Sequence, residues 1–170
     1  MDQPISYDDD FLAWSEQQAA ALRGLAGSRR DLPNELDVER VAEEIEDVGR
    51  AEFNAVKSHI RQILAHLIKA ISEPQPGPAS HWRKEVVSFH SALLDQFSPS
   101  MAQRLDVDRL WRRAMKEAEA ALEDEGGTLA PGLPRDCPLS LDQLLSEDFD
   151  FRGAVAELRA RLDNEASGRS

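Results

Sequence analysis

The chain has one cysteine, one tyrosine and aromatic side chains at only 6% of its 170 positions. A single thiol, Cys137, excludes an intrachain disulfide and fits a reducing compartment. Period-two runs of β-branched and aromatic residues are missing, which argues against strands. No stretch reaches ~18 uninterrupted apolar residues, so no membrane-spanning helix is expected. Met1-Asp2-Gln3 has neither a positive flank nor an apolar core, unlike a secretory signal. Signatures of chemistry are missing as well: there is no phosphate-binding Walker loop, dinucleotide-binding glycine pattern, Gly-x-Ser-x-Gly elbow or zinc-type cysteine pair. These absences point to a cytoplasmic protein without a cofactor.

Positive charge is also short. Lys and Arg number 20 against 32 Asp and Glu, a formal net charge of −12. Phosphate contacts supply most non-specific nucleic-acid affinity, so this balance argues against DNA or RNA as a partner. It equally disfavours anionic membrane surfaces. Arg112, Arg113 and Lys116 form a local basic run, but Glu117, Glu119 and Glu123 share the same helical stretch. That pattern is a solvated mixed-charge face.

What the chain does contain is helical periodicity. A hydrophobic fraction of 41% and a charged fraction of 31% suit an α-rich globular protein, and the length is enough for one domain with a real core. From Leu36 to Ile71 no proline interrupts a run in which Val38, Val41, Ile45, Val48, Val56, Ile60, Ile63, Leu67 and Ile71 recur at steps of three and four, with one step of eight. Such spacing places them on one helical face. At ~1.5 Å per residue the helix would be about 54 Å long, the central strut of a bundle. Asp37 is its expected N-cap, with Glu39, Glu43 and Glu44 at the positive end of the dipole. Gly49, which costs about 1 kcal/mol in a helix interior, marks either a close helix–helix approach or a gentle bend.

The flanking elements follow from caps and breakers. Ser6 with Asp9 has the form of a capping box ahead of Phe11, Trp14, Gln18, Leu22 and Leu25. Pro74, Pro76, Gly77 and Pro78 stop the long helix, and Ser80 can cap a third one using Trp82, Val86, Phe89, Leu93 and Phe97. Ser98-Pro99 opens a short turn. A fourth helix turns Val107, Leu110, Trp111, Ala114, Met115, Ala118 and Leu122 inward and ends at Gly126-Gly127. After a proline-rich loop, Ser140 and Gln143 form a second capping box before Leu141, Leu144 and Leu145. A last amphipathic stretch uses Phe151, Val155, Leu158 and Leu162, and residues 166–170 should fray. The expected architecture is all-α: an antiparallel four-helix bundle over residues 1–149, then a C-terminal helix and tail over 150–170. Monomer and homodimer are both compatible with it.

Glu52, His59 and His66 recur every seven residues beside the long apolar stripe, and together with Glu43, Glu44, Glu46, Arg50 and Lys69 they form the candidate polar cluster. Glu46 four residues before Arg50 suits an intrahelical ion pair, so a structural salt-bridge network is the simplest account of the acidic end. Residues seven apart stand about 10.5 Å apart along the axis, too far to share one ion at ~2 Å bond lengths. No metal is expected. A metal site would fall on His59 and His66, with His81, His90 or acids converging from other helices. His66 is expected to face the core and to bond another helix. Cys137 has no histidine near it in sequence and is expected to be a small buried anchor and not a nucleophile.

Several short motifs occur in a fixed order: Tyr7-Asp8-x-Asp10-Phe11-x-x-Trp14, Ala42-Glu43-Glu44-Ile45-Glu46-x-x-Gly49-Arg50-x-Glu52, Leu64-x-His66-Leu67-x-Lys69, Ser80-x-Trp82-Arg83, and Cys137-Pro138 with Leu141-x-Gln143-Leu144-Leu145-x-Glu147-Asp148-Phe149. In that order they resemble a bacterial family known only as "domain of unknown function 29", over roughly residues 7–149. Leu139 stands where the family usually shows an aromatic residue, Ser146 where an acidic or amide residue is usual, and one extra residue separates Ser80 from Trp82. The resemblance implies an all-α bacterial protein of this size and brings no activity with it. From the residues themselves, the leading reading is a non-enzymatic helical module that binds a protein partner through acidic faces. The alternative is a metal-dependent hydrolase or transferase with a core site near His66.

Overall fold

A computed structural model of the protein describes residues 4–73 and 79–167, and within them every regular element is helical. The α-helices are α1 (Phe11–Ser28), α2 (Val38–Ser72), α3 (Ala79–Gln96), α4 (Val107–Asp124), α5 (Leu141–Leu144) and α6 (Phe151–Ser167), with a 3-10 helix at Pro99–Arg104. The all-α class is therefore observed, and no helix among the described residues is long and apolar enough to cross a membrane. The proline breaker at 74–78 and residues 168–170 of the expected frayed tail lie outside the described residues.

Most helix boundaries follow the local chemistry. Asp37 Oδ1 accepts from the Arg40 amide at 3.0 Å, capping α2 as expected. Ser140 and Gln143 form their reciprocal box, at 3.1 and 2.9 Å. The first helix differs. Its cap is Asp10, which accepts from the Ala13 amide at 3.0 Å, whereas Ser6 Oγ accepts only from Asp8. Asp10 also takes the Ser100 amide at 2.7 Å and the Ser100 hydroxyl at 2.8 Å. A bond from 90 residues away selects between two acceptable caps. Ser80 likewise lies inside α3 and does not cap it, because the helix already starts at Ala79.

Chain contacts divide the protein into two compact units. Unit 1 comprises residues 1–56 and 96–105; unit 2 comprises 57–95 and 106–170. In unit 1, α1 meets the first half of α2 at Gly49, where a side-chain carbon would overlap the Ser15 hydroxyl and stand 3.0 Å from Ser15 Cβ. Of the close approach and the bend expected at Gly49, the structure shows the close approach. The contact rotates α2 so that Val38, Ala42, Gly49 and Val56 are buried, while Val41 and Val48 are exposed. The expected stripe is thus corrected in this half. Each residue turns the helix by about 100°, and the small side chains one position on from each valine permit the tighter approach.

In unit 2 the stripe holds. Val86 and Leu93 of α3, Trp111, Ala114, Ala118 and Leu122 of α4, and Leu158 of α6 are buried together with Ile60, Ile63, Leu64, Leu67 and Ile68 of α2. Burial on this scale is the dominant stabilising term. Trp111 and Trp82 are buried as their inward positions required, and Trp14 is half-buried.

Candidate functional site

The predicted polar cluster is divided between the units. Glu43, Glu44, Glu46, Arg50 and Glu52 lie in unit 1, whereas His59, His66 and Lys69 lie in unit 2. In unit 1 the acids form an ion-pair network. Glu46 is not paired with Arg50; it receives both terminal nitrogens of Arg23 from α1, at 2.7 and 3.0 Å, and Arg50 pairs with Asp47 at 3.1 Å. Arg23 also binds Glu39 at 2.9 Å, and Arg40 reaches Glu43 and Glu44 at 3.3 and 3.4 Å. The Arg23 fork holds the Glu46 carboxyl below its ordinary range. A bidentate partner on a neighbouring helix replaces the weaker intrahelical pair. Glu52, half-exposed, completes the residues expected here.

The node in unit 2 is built on His66, which is 5% exposed. Its Nδ1 lies 2.7 Å from the Gln62 carbonyl oxygen one turn back, and its Nε2 lies 2.6 Å from Glu85 Oε2 on α3. The expected interhelical bond is present. His81 Nε2 approaches the same Glu85 oxygen at 3.5 Å, one turn before it on α3. The Phe89 ring lies 6.0 Å from that of His59 and 5.8 Å from that of His66. Lys69 places its ammonium 5.1 Å from the centre of the Trp82 ring. Desolvation pushes the Lys69 pKa down, against the charges of Glu85 and Glu125.

Both ring nitrogens of His66 face protein acceptors, one on its own helix and one on α3. Among the described residues no group of three or more His, Cys, Asp or Glu side chains is placed to hold a metal ion. Cys137 is half-buried, and burial pushes its thiol up to about 11, which makes it a poor nucleophile near neutral pH. Glu85 and Arg23 were not identified from the sequence. For Glu85 the available signal was its i+4 relation to His81 and its place one turn from Trp82; for Arg23, distant in sequence from its partners, there was none.

The His66 hydrogen bond holds the Glu85 carboxyl below its ordinary pKa, against partial desolvation and with help from the charges of His66, His81 and Lys69. A depressed carboxyl stabilises the fold above its unfolded pKa of about 4.3, and that contribution is lost as pH falls through the lower folded value. Urea midpoints of wild type should therefore fall more steeply between pH 6 and pH 3 than those of Glu85→Gln. Parallel pH profiles would show that the bond contributes nothing to acid stability.

A model of the family described as "Domain of unknown function DUF29" matches residues 6–150. The chain belongs to this family. A crystal structure of an alpha-helical protein of unknown function from Rhodospirillum rubrum is similar at 46% identity, with a TM-score of 0.88, covering 92% of this chain and 99% of the other. No curated protein matches. The family match bears out the resemblance carried by the motifs, the solved neighbour agrees with the all-helical class, and neither comparison supplies an activity.

Proposed function

We propose that unit 1 is a docking platform for a cytoplasmic protein partner that presents a basic, amphipathic segment. The supporting observation is that exposed apolar side chains and negative charge coincide on this unit. Of the six large hydrophobic side chains exposed among the described residues, five (Tyr7, Leu25, Leu36, Val41 and Val48) belong to unit 1. Unit 1 carries 14 acidic and 6 basic residues, a net −8, against 18 and 14, a net −4, for unit 2. Val41 and Val48 are 40% and 51% exposed and lie seven apart on α2, with Glu44 between them on the same face and exposed Ala51 following. Anchors at this spacing receive an amphipathic helix, and the surrounding carboxylates select a positively charged one. A second copy of this chain would bring the same negative charge to the face and is disfavoured for that reason.

A photoreactive residue placed at Val48, with Val87 of unit 2 as the control site, tests the reading in cells that make the protein. The expected result is one discrete crosslinked protein from Val48, joined through a Lys- or Arg-rich amphipathic peptide, and lost when Val41 is also changed to Glu. Equal capture from Val87, capture through an acidic peptide, a crosslink to a second copy, or no crosslink would each overturn it.

A further inference from the structure

Unit 2 contains a cleft of about 320 Å³ between α3 and the segment that leads from α5 into α6. All of its lining residues belong to unit 2, and none is part of the His66 node. The floor is apolar, formed by Val86 and the rings of Phe149 and Phe151. At the lip stands Val87, 60% exposed, the most exposed large hydrophobic side chain among the described residues. His90 is fixed in the wall. Its ring stacks on Phe149 at 5.0 Å, and its Nε2 lies 3.1 Å from the Leu144 carbonyl oxygen, to which it donates.

The rim carries charge of both signs. Arg83 of α3 contributes the cation, and Glu147 and Asp150 contribute the anions. Asp150 spends one oxygen on the Gly153 amide at 2.7 Å, as the cap of α6. Among the described residues Arg83 forms no ion pair with either acid, although all three line one small cleft. One cation and two carboxylates around an apolar floor, with no ion pair between them, make a site of mixed polarity.

From this arrangement we infer that the cleft binds a small zwitterion with an apolar body, of the class of a free hydrophobic α-amino acid. Arg83 offers donors to a carboxylate, Glu147 and Asp150 offer acceptors to an ammonium, and the apolar floor and Val87 cover a hydrocarbon side chain. A simple carboxylic acid would meet the two acids unpaired, and a simple amine would meet Arg83. The volume lies at the small end of the range for ligand sites, which fits a molecule of this size better than a nucleotide or cofactor.

The test is an amide-resolved NMR titration of the whole chain with L-phenylalanine and L-leucine, each beside its N-acetyl and carboxamide derivatives. Saturable shifts are expected at residues 83–94 and 147–151. Blocking either charged end should weaken binding roughly tenfold or more, the scale of one lost charge-assisted hydrogen bond. Arg83→Gln should abolish the advantage of the free acid over its amide, and Glu147→Gln that of the free amine over its acetyl form. Both substitutions are at exposed positions, and the spectrum itself shows whether the fold is kept. Val87→Arg should block the lip and remove binding of all six ligands. No saturable shift at millimolar ligand, shifts elsewhere in the chain, or equal affinity for free and blocked forms would each overturn the assignment.

Discussion

Trp111→Ala should destabilise the protein by about 3–5 kcal/mol, the range for deleting a large buried aromatic side chain. Trp111 is fully buried on α4, and its indole N–H donates to the Pro134 carbonyl at 2.9 Å. The substitution removes the ring, opens a cavity and leaves a carbonyl of the 128–138 loop without its partner, so the upper part of that range applies. Trp111→Phe retains most of the volume and isolates the hydrogen bond, at about 1–2 kcal/mol. Urea unfolding followed by far-UV circular dichroism measures both. A loss below ~1 kcal/mol for Trp111→Ala would mean that α4 presents a different face to the core. Total stabilities of domains are about 5–15 kcal/mol, so the change should be visible in a single denaturation curve.

Gly49→Val should be the most damaging single change in unit 1, costing about 3 kcal/mol or more. Even the first carbon of a side chain at this position overlaps Ser15 Oγ, stands 3.0 Å from Ser15 Cβ and lies 3.4 Å from Leu12 Cδ1. Ser15 cannot simply swing away: it is fully buried and its hydroxyl donates to the Leu12 carbonyl at 2.8 Å. Gly49→Ala sets this clash against a gain in helix propensity of about 1 kcal/mol. The net effect should still be destabilising, and Ser15→Ala should recover much of it by removing the overlapping oxygen. Additive effects of the two substitutions in a double-mutant cycle would contradict a direct contact.

Such features show which parts of the structure were legible in the sequence. Gly49 was legible in part: its helical cost pointed to a close approach or a bend, and the contact with Ser15 decides for the approach. The Asp37 cap and the Ser140–Gln143 box were legible because their donors and acceptors lie within one turn. His66 was legible in kind, as an inward polar group that needs a bond, although its partner Glu85 lies 19 residues away. The misreadings share one cause. Ser6 and Asp10 are both good caps, and Ser100 selects between them. Val41 and Val48 fit the apolar period, but the approach at Gly49 turns their neighbours inward instead. Heptad recurrence along α2 joined Glu52, His59 and His66 into one group, although the chain assigns the first to a different unit from the other two. Period and propensity are local; the choice between locally equivalent solutions is made by contacts distant in sequence.

Recognition of a positively charged amphipathic segment by unit 1 is tested most directly by an amide-resolved NMR titration of the full chain with a Leu- and Lys-rich helical peptide, at low and at high salt. Shifts should be confined to unit 1 and centred on Val41 and Val48. They should weaken as salt screens the carboxylates within about a Debye length, and be lost in the Val41→Glu, Val48→Glu double variant. Shifts centred on unit 2, binding unaffected by that variant, or no binding by a peptide of either charge would contradict it.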